Sequence, residues 1–136
     1  MADKRILLLD GHLLTAHHWH AGRVRAEGEF RPEPAGLESL ATYLKKYQSS
    51  VFYLLADTVE EGFQLESLPY VQGGDRKALL QRRLAQYYYN TPLSAAMSLG
   101  RAATGRRDEK ILFAALTRVE TFTPWLETLR AAETNL

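Results

Sequence analysis

Three carboxylates occupy positions where an acid cluster could clamp divalent metals. Asp10 closes the apolar run Ile6-Leu7-Leu8-Leu9, Asp57 closes Val51 to Ala56, and Glu38 opens the stripe of Leu37, Leu40, Ala41 and Leu44. If the two apolar runs are neighbouring strands, Asp10 and Asp57 meet and Glu38 stands above them. Two metal ions held by such a set would support phosphodiester hydrolysis. The same residues have a simpler account. Asp10 and Asp57 are polar residues at strand ends, and Glu38 is a first-turn acid favoured by the helix dipole. No further acid or histidine stands where it would complete a catalytic set.

Four histidines, His12, His17, His18 and His20, fall in one short stretch. On a strand, His18 and His20 share a face and His17 points away. That supplies two ligands where a metal needs three or four, with His12 in the preceding turn, so no metal site is assigned. Gly73-Gly74-Asp75 precedes a helical pattern and resembles a generic anion-binding helix start, reinforced by Arg76 and Lys77. There is no Walker or dinucleotide-binding glycine motif, and Asp75 as an N-cap explains the stretch without a ligand. Tyr87-Tyr88-Tyr89, Trp19 and Trp125 are read as packing residues rather than base-stacking platforms.

The elements that must position these residues follow from periodicity. Ile6 to Leu9 is a buried strand, and Asp10-Gly11 a turn. Leu13 to His20 is a second strand. Arg23 to Arg31 alternates, with Val24, Ala26, Gly28 and Phe30 on one face and Arg25, Glu27, Glu29 and Arg31 on the wet one. Pro32 and Pro34 end this meander. Leu37 to Leu44 has helical spacing, with Lys45 and Lys46 at the C-terminal end. Val51 to Ala56 is a returning buried strand, giving βββαβ.

The second half opens on Phe63 to Pro69. A basic amphipathic helix follows, Asp75 to Tyr89, with Leu80, Leu84, Tyr87 and Tyr88 on its apolar stripe. Ala95 to Leu99 and Ile111 to Leu116 form a strand pair across a glycine- and arginine-rich tip. Thr123 caps the last helix, with Pro124 at its first position.

Composition narrows the function classes. The 136 residues carry 17 Lys and Arg against 16 Asp and Glu, a net charge of +1, so no global field draws nucleic acid or membrane. The basic clusters Arg76 to Arg83 and Arg101 to Arg107 read as a solvated helix face and a hairpin tip. With no cysteine, disulfides, thiolate metal sites and cysteine nucleophiles are excluded. No apolar run reaches the length of a membrane span, and a soluble chain is expected.

Three stretches carry a resemblance. Phe63-Gln64-Leu65-Glu66-Ser67-Leu68-Pro69-Tyr70, Asp75 to Leu93 with its aromatic, proline-containing end, and Lys110 to Phe122 resemble the actin-like cytoplasmic proteins of bacterial pilus and secretion assembly. These are PilM of type IV pili and the cytoplasmic part of GspL of type II secretion. The resemblance implies an α/β, ribonuclease-H-like or actin-like half-domain (βββαβ) over 1–59. A strand-helix-strand-strand-helix interaction module over 60–136 would share one core with it.

The resemblance also implies a non-enzymatic cytoplasmic scaffold, placed at the inner face of the inner membrane and bound to another assembly component. It implies no cofactor, no nucleotide site and no nucleic-acid partner. Docking is expected at a sheet edge or beside the Asp75–Tyr89 helix. The competing readings are a metal-dependent nuclease using Asp10, Glu38 and Asp57, and a nucleotide-binding actin-like half. Against the latter, Asp10-Gly11-His12-Leu13-Leu14 lacks the glycine- and hydroxyl-rich turn with which actin-like ATPases hold phosphate.

Overall fold

A computed structural model describes residues 2–58 and 60–136. The element order is β1 (Lys4–Asp10), β2 (Leu13–His20), β3 (Arg23–Phe30), α1 (Pro34–Lys46), β4 (Val51–Asp57), β5 (Glu61–Leu68), α2 (Gly73–Tyr87), β6 (Ser94–Arg101), β7 (Glu109–Leu116) and α3 (Thr123–Ala131). The expected mixed α/β order is therefore present. The chain divides into two compact units: residues up to 59 together with Glu120–Leu136, and Glu60–Val119.

The first unit is built on a four-stranded sheet of order β3-β2-β1-β4. β1 and β2 form an antiparallel hairpin, whereas β4 returns parallel to β1, with Leu7 opposite Leu54 and Asp10 opposite Asp57. Period two then decides the core. Leu7 and Leu9 of β1, Leu14 and Ala16 of β2, Phe30 of β3 and Phe52 of β4 are buried, as are Leu40 and Leu44 of α1. Helix α3 packs against α1 and buries Trp125 and Leu129. The last helix, expected within the second module, thus belongs to the first unit.

Three expectations about this sheet are corrected. The alternation of β3 breaks at a bulge: Ala16 pairs with Gly28 but His17 with Ala26, so β3 spends two residues where β2 spends one. A bulge reverses the faces beyond it. Glu27 therefore turns inward, and Val24 is 58% exposed. Trp19 is likewise not core but 50% exposed. β4 is also not buried on both faces, since Tyr53 and Leu55 are about half exposed.

Helix α1 starts at Pro34, whose missing N–H is tolerated in the first turn. Its start is pinned by Gly36. A Cβ there would lie 2.0 Å from the Arg31 carbonyl oxygen, so only glycine fits without moving backbone.

The second unit is a three-stranded antiparallel sheet, β5-β7-β6. One face is covered by α2: Leu68, Ile111 and Phe113 are buried, with Leu79, Leu80, Leu84 and Tyr88 packed on them. α2 is capped at Gln72 rather than Asp75, which lies in the first turn, and it ends at Tyr87 rather than Tyr89. Beyond it, Tyr88 folds over β5, where a Cβ on Gly62 would come within 2.6 Å of the ring. Tyr89 is 84% exposed, so Tyr87 and Tyr88, but not Tyr89, pack as expected. For α3 the N-cap is Phe122, without a side-chain cap, and Thr123 is already inside the helix.

Candidate functional site

The acid cluster is half assembled. Asp10 and Asp57 are register partners at the carboxyl ends of the parallel strands β1 and β4. Ligands of open α/β sheets commonly sit beyond such ends. Glu38 does not sit in the first turn of α1, which has no acid there. It is exposed and lines a groove with Leu37, Ala41, Thr128 and Ala131, between α1 and α3. Among the described residues, no set of three ligand atoms within metal-binding distance includes Asp10, Glu38 or Asp57. The β1–β2 turn beside Asp10 is Gly11-His12, with φ of +61° at Gly11. It supplies no side-chain hydroxyl.

The histidines separate as strand geometry requires. His18 and His20 stack with ring centroids 5.7 Å apart. On the other face, His17 Nε2 contacts the Thr15 hydroxyl at 3.0 Å. His12 is exposed in the turn.

Sequence reasoning missed a buried polar network in the first unit. Arg5 is 4% exposed, at a core-facing position of β1. Its Nε donates to Glu27 Oε1 at 3.0 Å, and a guanidinium nitrogen donates to the Ser50 hydroxyl. The guanidinium also lies 3.6 Å from the Tyr47 ring centroid. Tyr43 of α1 donates its hydroxyl to the same Glu27 oxygen at 2.6 Å. Burial pushes the Glu27 carboxyl up, but the hydrogen bonds from Tyr43 and Arg5 outweigh it and hold the group below its ordinary value. Burial and the Glu27 bond together raise the Tyr43 phenol well above its own. The available signal was the charge of Arg5 at the head of an apolar run; Glu27 lay hidden behind the bulge.

The second unit has a partly buried ionic fork. Arg76 donates to both oxygens of Glu109, at 3.1 and 2.7 Å, and Ser98 donates at 2.6 Å. The Arg76 bonds hold the Glu109 carboxyl below its ordinary value against the opposing effect of burial. At the hairpin tip, the Arg101 guanidinium stacks 3.7 Å from the Tyr70 ring centroid, and Arg106 pairs with Asp108 at 2.8 Å. The basic tip is thus partly satisfied from within.

The opposite face of this sheet is bare. Phe63 and Leu65 of β5 are each 58% exposed, and Met97 and Leu99 of β6 are 61% and 51% exposed. The register sets Leu65, Leu112 and Met97 in one row, and Phe63, Ala114 and Ala95 in the next. The result is one apolar surface spanning all three strands.

Neither a protein-family model nor a curated protein matches the chain. Solved structures do. The cytoplasmic domain of EpsL, an inner membrane component of the type II secretion system of Vibrio cholerae, matches 98% of this chain at 11% identity with a TM-score of 0.55. The PilM-PilN type IV pilus biogenesis complex matches 96% at 14% identity with a TM-score of 0.57. The chain has the fold of a PilM/GspL-type, actin-like half-domain. It spans about half the length of these solved chains, 53% and 45%. In this half-domain the Asp10–Asp57 pair marks the carboxyl ends of the parallel strands, and the insertion between β4 and α3 is the β5–α2–β6–β7 unit. No helix among the described residues is long and apolar enough to cross a membrane.

Proposed function

We propose that the chain is a non-enzymatic cytoplasmic scaffold domain of a bacterial pilus or secretion assembly, docking a protein partner on the uncovered face of the β5–β7–β6 sheet. The observation that carries this reading is the row of half-exposed Phe63, Leu65, Met97 and Leu99 on one side of a sheet whose other side is closed by α2. Contiguous apolar patches of this kind mark interaction sites. The large bare side chains favour the sheet face over a sheet edge or the flank of α2.

The likeness to two assembly components supports the setting, including a place at the inner face of the inner membrane. That one of them is a PilM-PilN complex supports a protein partner. The nuclease reading loses support from Glu38, which lies along the α1–α3 groove. The nucleotide-binding reading loses support from the β1–β2 turn, which offers no hydroxyl.

The test is a photo-crosslinking residue at Met97, placed in the protein in its native host. The expected adduct is with a component of a pilus or secretion assembly, and Leu65→Lys should abolish it. An adduct only with proteins outside such assemblies, or one indifferent to Leu65→Lys, overturns the proposal.

A further inference from the structure

The start of β1 and the end of β2 bring together three groups that the spacing of the histidines does not connect. One ligand atom each from Asp3, His18 and His20 lies within 4.8 Å of the others. His18 Nε2 is buried and has no hydrogen-bond partner. The nearest acid oxygen, Oδ1 of Asp3, is 3.7 Å away, beyond the length of a normal hydrogen bond. Atoms bound tetrahedrally to a shared zinc ion, each about 2.0–2.1 Å from it, stand about 3.3 Å apart. The gap between His18 and Asp3 is close to that spacing. His20 and Asp3 are exposed and free to close the remaining distance.

We propose that Asp3, His18 and His20 form a binding site for a borderline divalent cation of the zinc class, with a fourth position open to water. Two imidazoles and one carboxylate, without thiolate, suit zinc and its neighbours better than magnesium or calcium, which take all-oxygen shells. The site ties the start of β1 to the far end of β2. Positive groups surround it and limit its affinity. Arg25 and Arg23 are the register partners of His18 and His20 and line the pocket beside them. Arg5 lies 3.8 Å from the other Asp3 oxygen, Oδ2, but is engaged by Glu27 and Ser50.

The experiment is calorimetric titration of the untagged protein with ZnCl2, alongside thermal melts and the visible spectrum with Co²⁺. Expected are one equivalent bound, a melting temperature that rises with free Zn²⁺ because the ion binds the folded state, and a four- or five-coordinate cobalt spectrum. Asp3→Asn and His20→Gln alter exposed side chains and leave the fold intact; each should weaken binding at least about tenfold. His17→Gln and His12→Gln, outside the cluster, should bind as the parent does. The proposal is overturned by absence of one-equivalent binding, by equal binding in Asp3→Asn and His20→Gln, or by an equal loss in the His12 or His17 controls. An ordinary His18–Asp3 ion pair gives the first of these outcomes.

Discussion

The two units build different kinds of interior. In the first, Leu7, Leu9, Leu14, Phe30, Leu40, Leu44, Phe52, Trp125 and Leu129 are buried between a sheet and two helices, with Arg5 buried beside them and bonded to the partly buried Glu27. In the second, the buried apolar residues are Leu68, Ile111, Phe113 and Ala115, and α2 has no fully buried residue. Its bare sheet face carries large apolar side chains as well, Phe63, Leu65, Met97 and Leu99, each more than half exposed. A framework and a presenting surface are therefore separate here. The unit that carries the candidate docking face is the one with the thinner core, so its stability is the more open to change by a bound partner.

The largest expected effect tests the framework. Trp125→Ala empties a site that is 1% exposed and should cost about 3–5 kcal/mol, a large part of the total stability of a small domain. Urea melts will show this as a lower midpoint. Native-state hydrogen exchange sharpens the comparison: amides of β5, β6 and β7 should exchange through smaller openings than those of β1 and β2. Equal protection in both units would remove the distinction.

Next come the ionic contacts. Arg5→Met strands the Glu27 carboxylate in a largely buried position, and removing one partner of a buried pair costs about 3–5 kcal/mol. Arg76→Met releases Glu109 from a pair whose arginine is 34% exposed, and solvent screening makes its effect the smaller of the two. Glu109 is itself buried, so a urea midpoint lowered as much by Arg76→Met as by Arg5→Met would show that the exposure of Arg76 does not weaken its pair relative to the Arg5 network.

The third prediction concerns acid. Glu27 and Glu109 both have folded-state values below the ordinary 4.5, so the unfolded chain takes up their protons first as pH falls. Their contributions are complete above the unfolded value and are lost progressively below it, through the folded values. Stability measured from pH 7 to pH 3 should therefore fall at the acid end. Glu27→Gln should flatten that fall as well as lower the plateau. An unchanged slope in the variant would show that Glu27 is not held in its charged form by Arg5 and Tyr43.

These contrasts also show what the sequence could reveal. Continuous apolar runs at Ile6–Leu9 and Val51–Ala56, the hairpin turn at Gly11 and the helical stripe of Leu37 to Leu44 follow from local periodicity. The order of elements was legible from them, as was the adjacency of Asp10 and Asp57. Three features depend on contacts distant in sequence. The bulge opposite Ala16 reverses the faces of β3, which no period-two pattern in β3 itself reveals. Trp19 looks like core by type, yet it lies on the face that α1 does not cover. Asp3 joins His18 and His20 only because β1 and β2 pair with Lys4 opposite Trp19.

The smallest expected effects on stability belong to the exposed residues. Asp57→Asn and Glu38→Gln should each stay within about ±0.5 kcal/mol, as surface substitutions usually do, and no activity should change. Leu65→Lys should be equally mild for folding, because Leu65 is 58% exposed and its replacement removes little buried contact. Its consequence should instead be seen in association, where a charge at the β5 end of the apolar row meets a desolvating partner. The comparison between units is sharpened by pairing it with Tyr53→Lys on the bare face of the first sheet, at 49% exposure. Equal tolerance in thermal melts is expected of both, with loss of partner binding only for Leu65→Lys. If Tyr53→Lys abolishes binding and Leu65→Lys does not, the docking face lies on the framework unit rather than on the insertion.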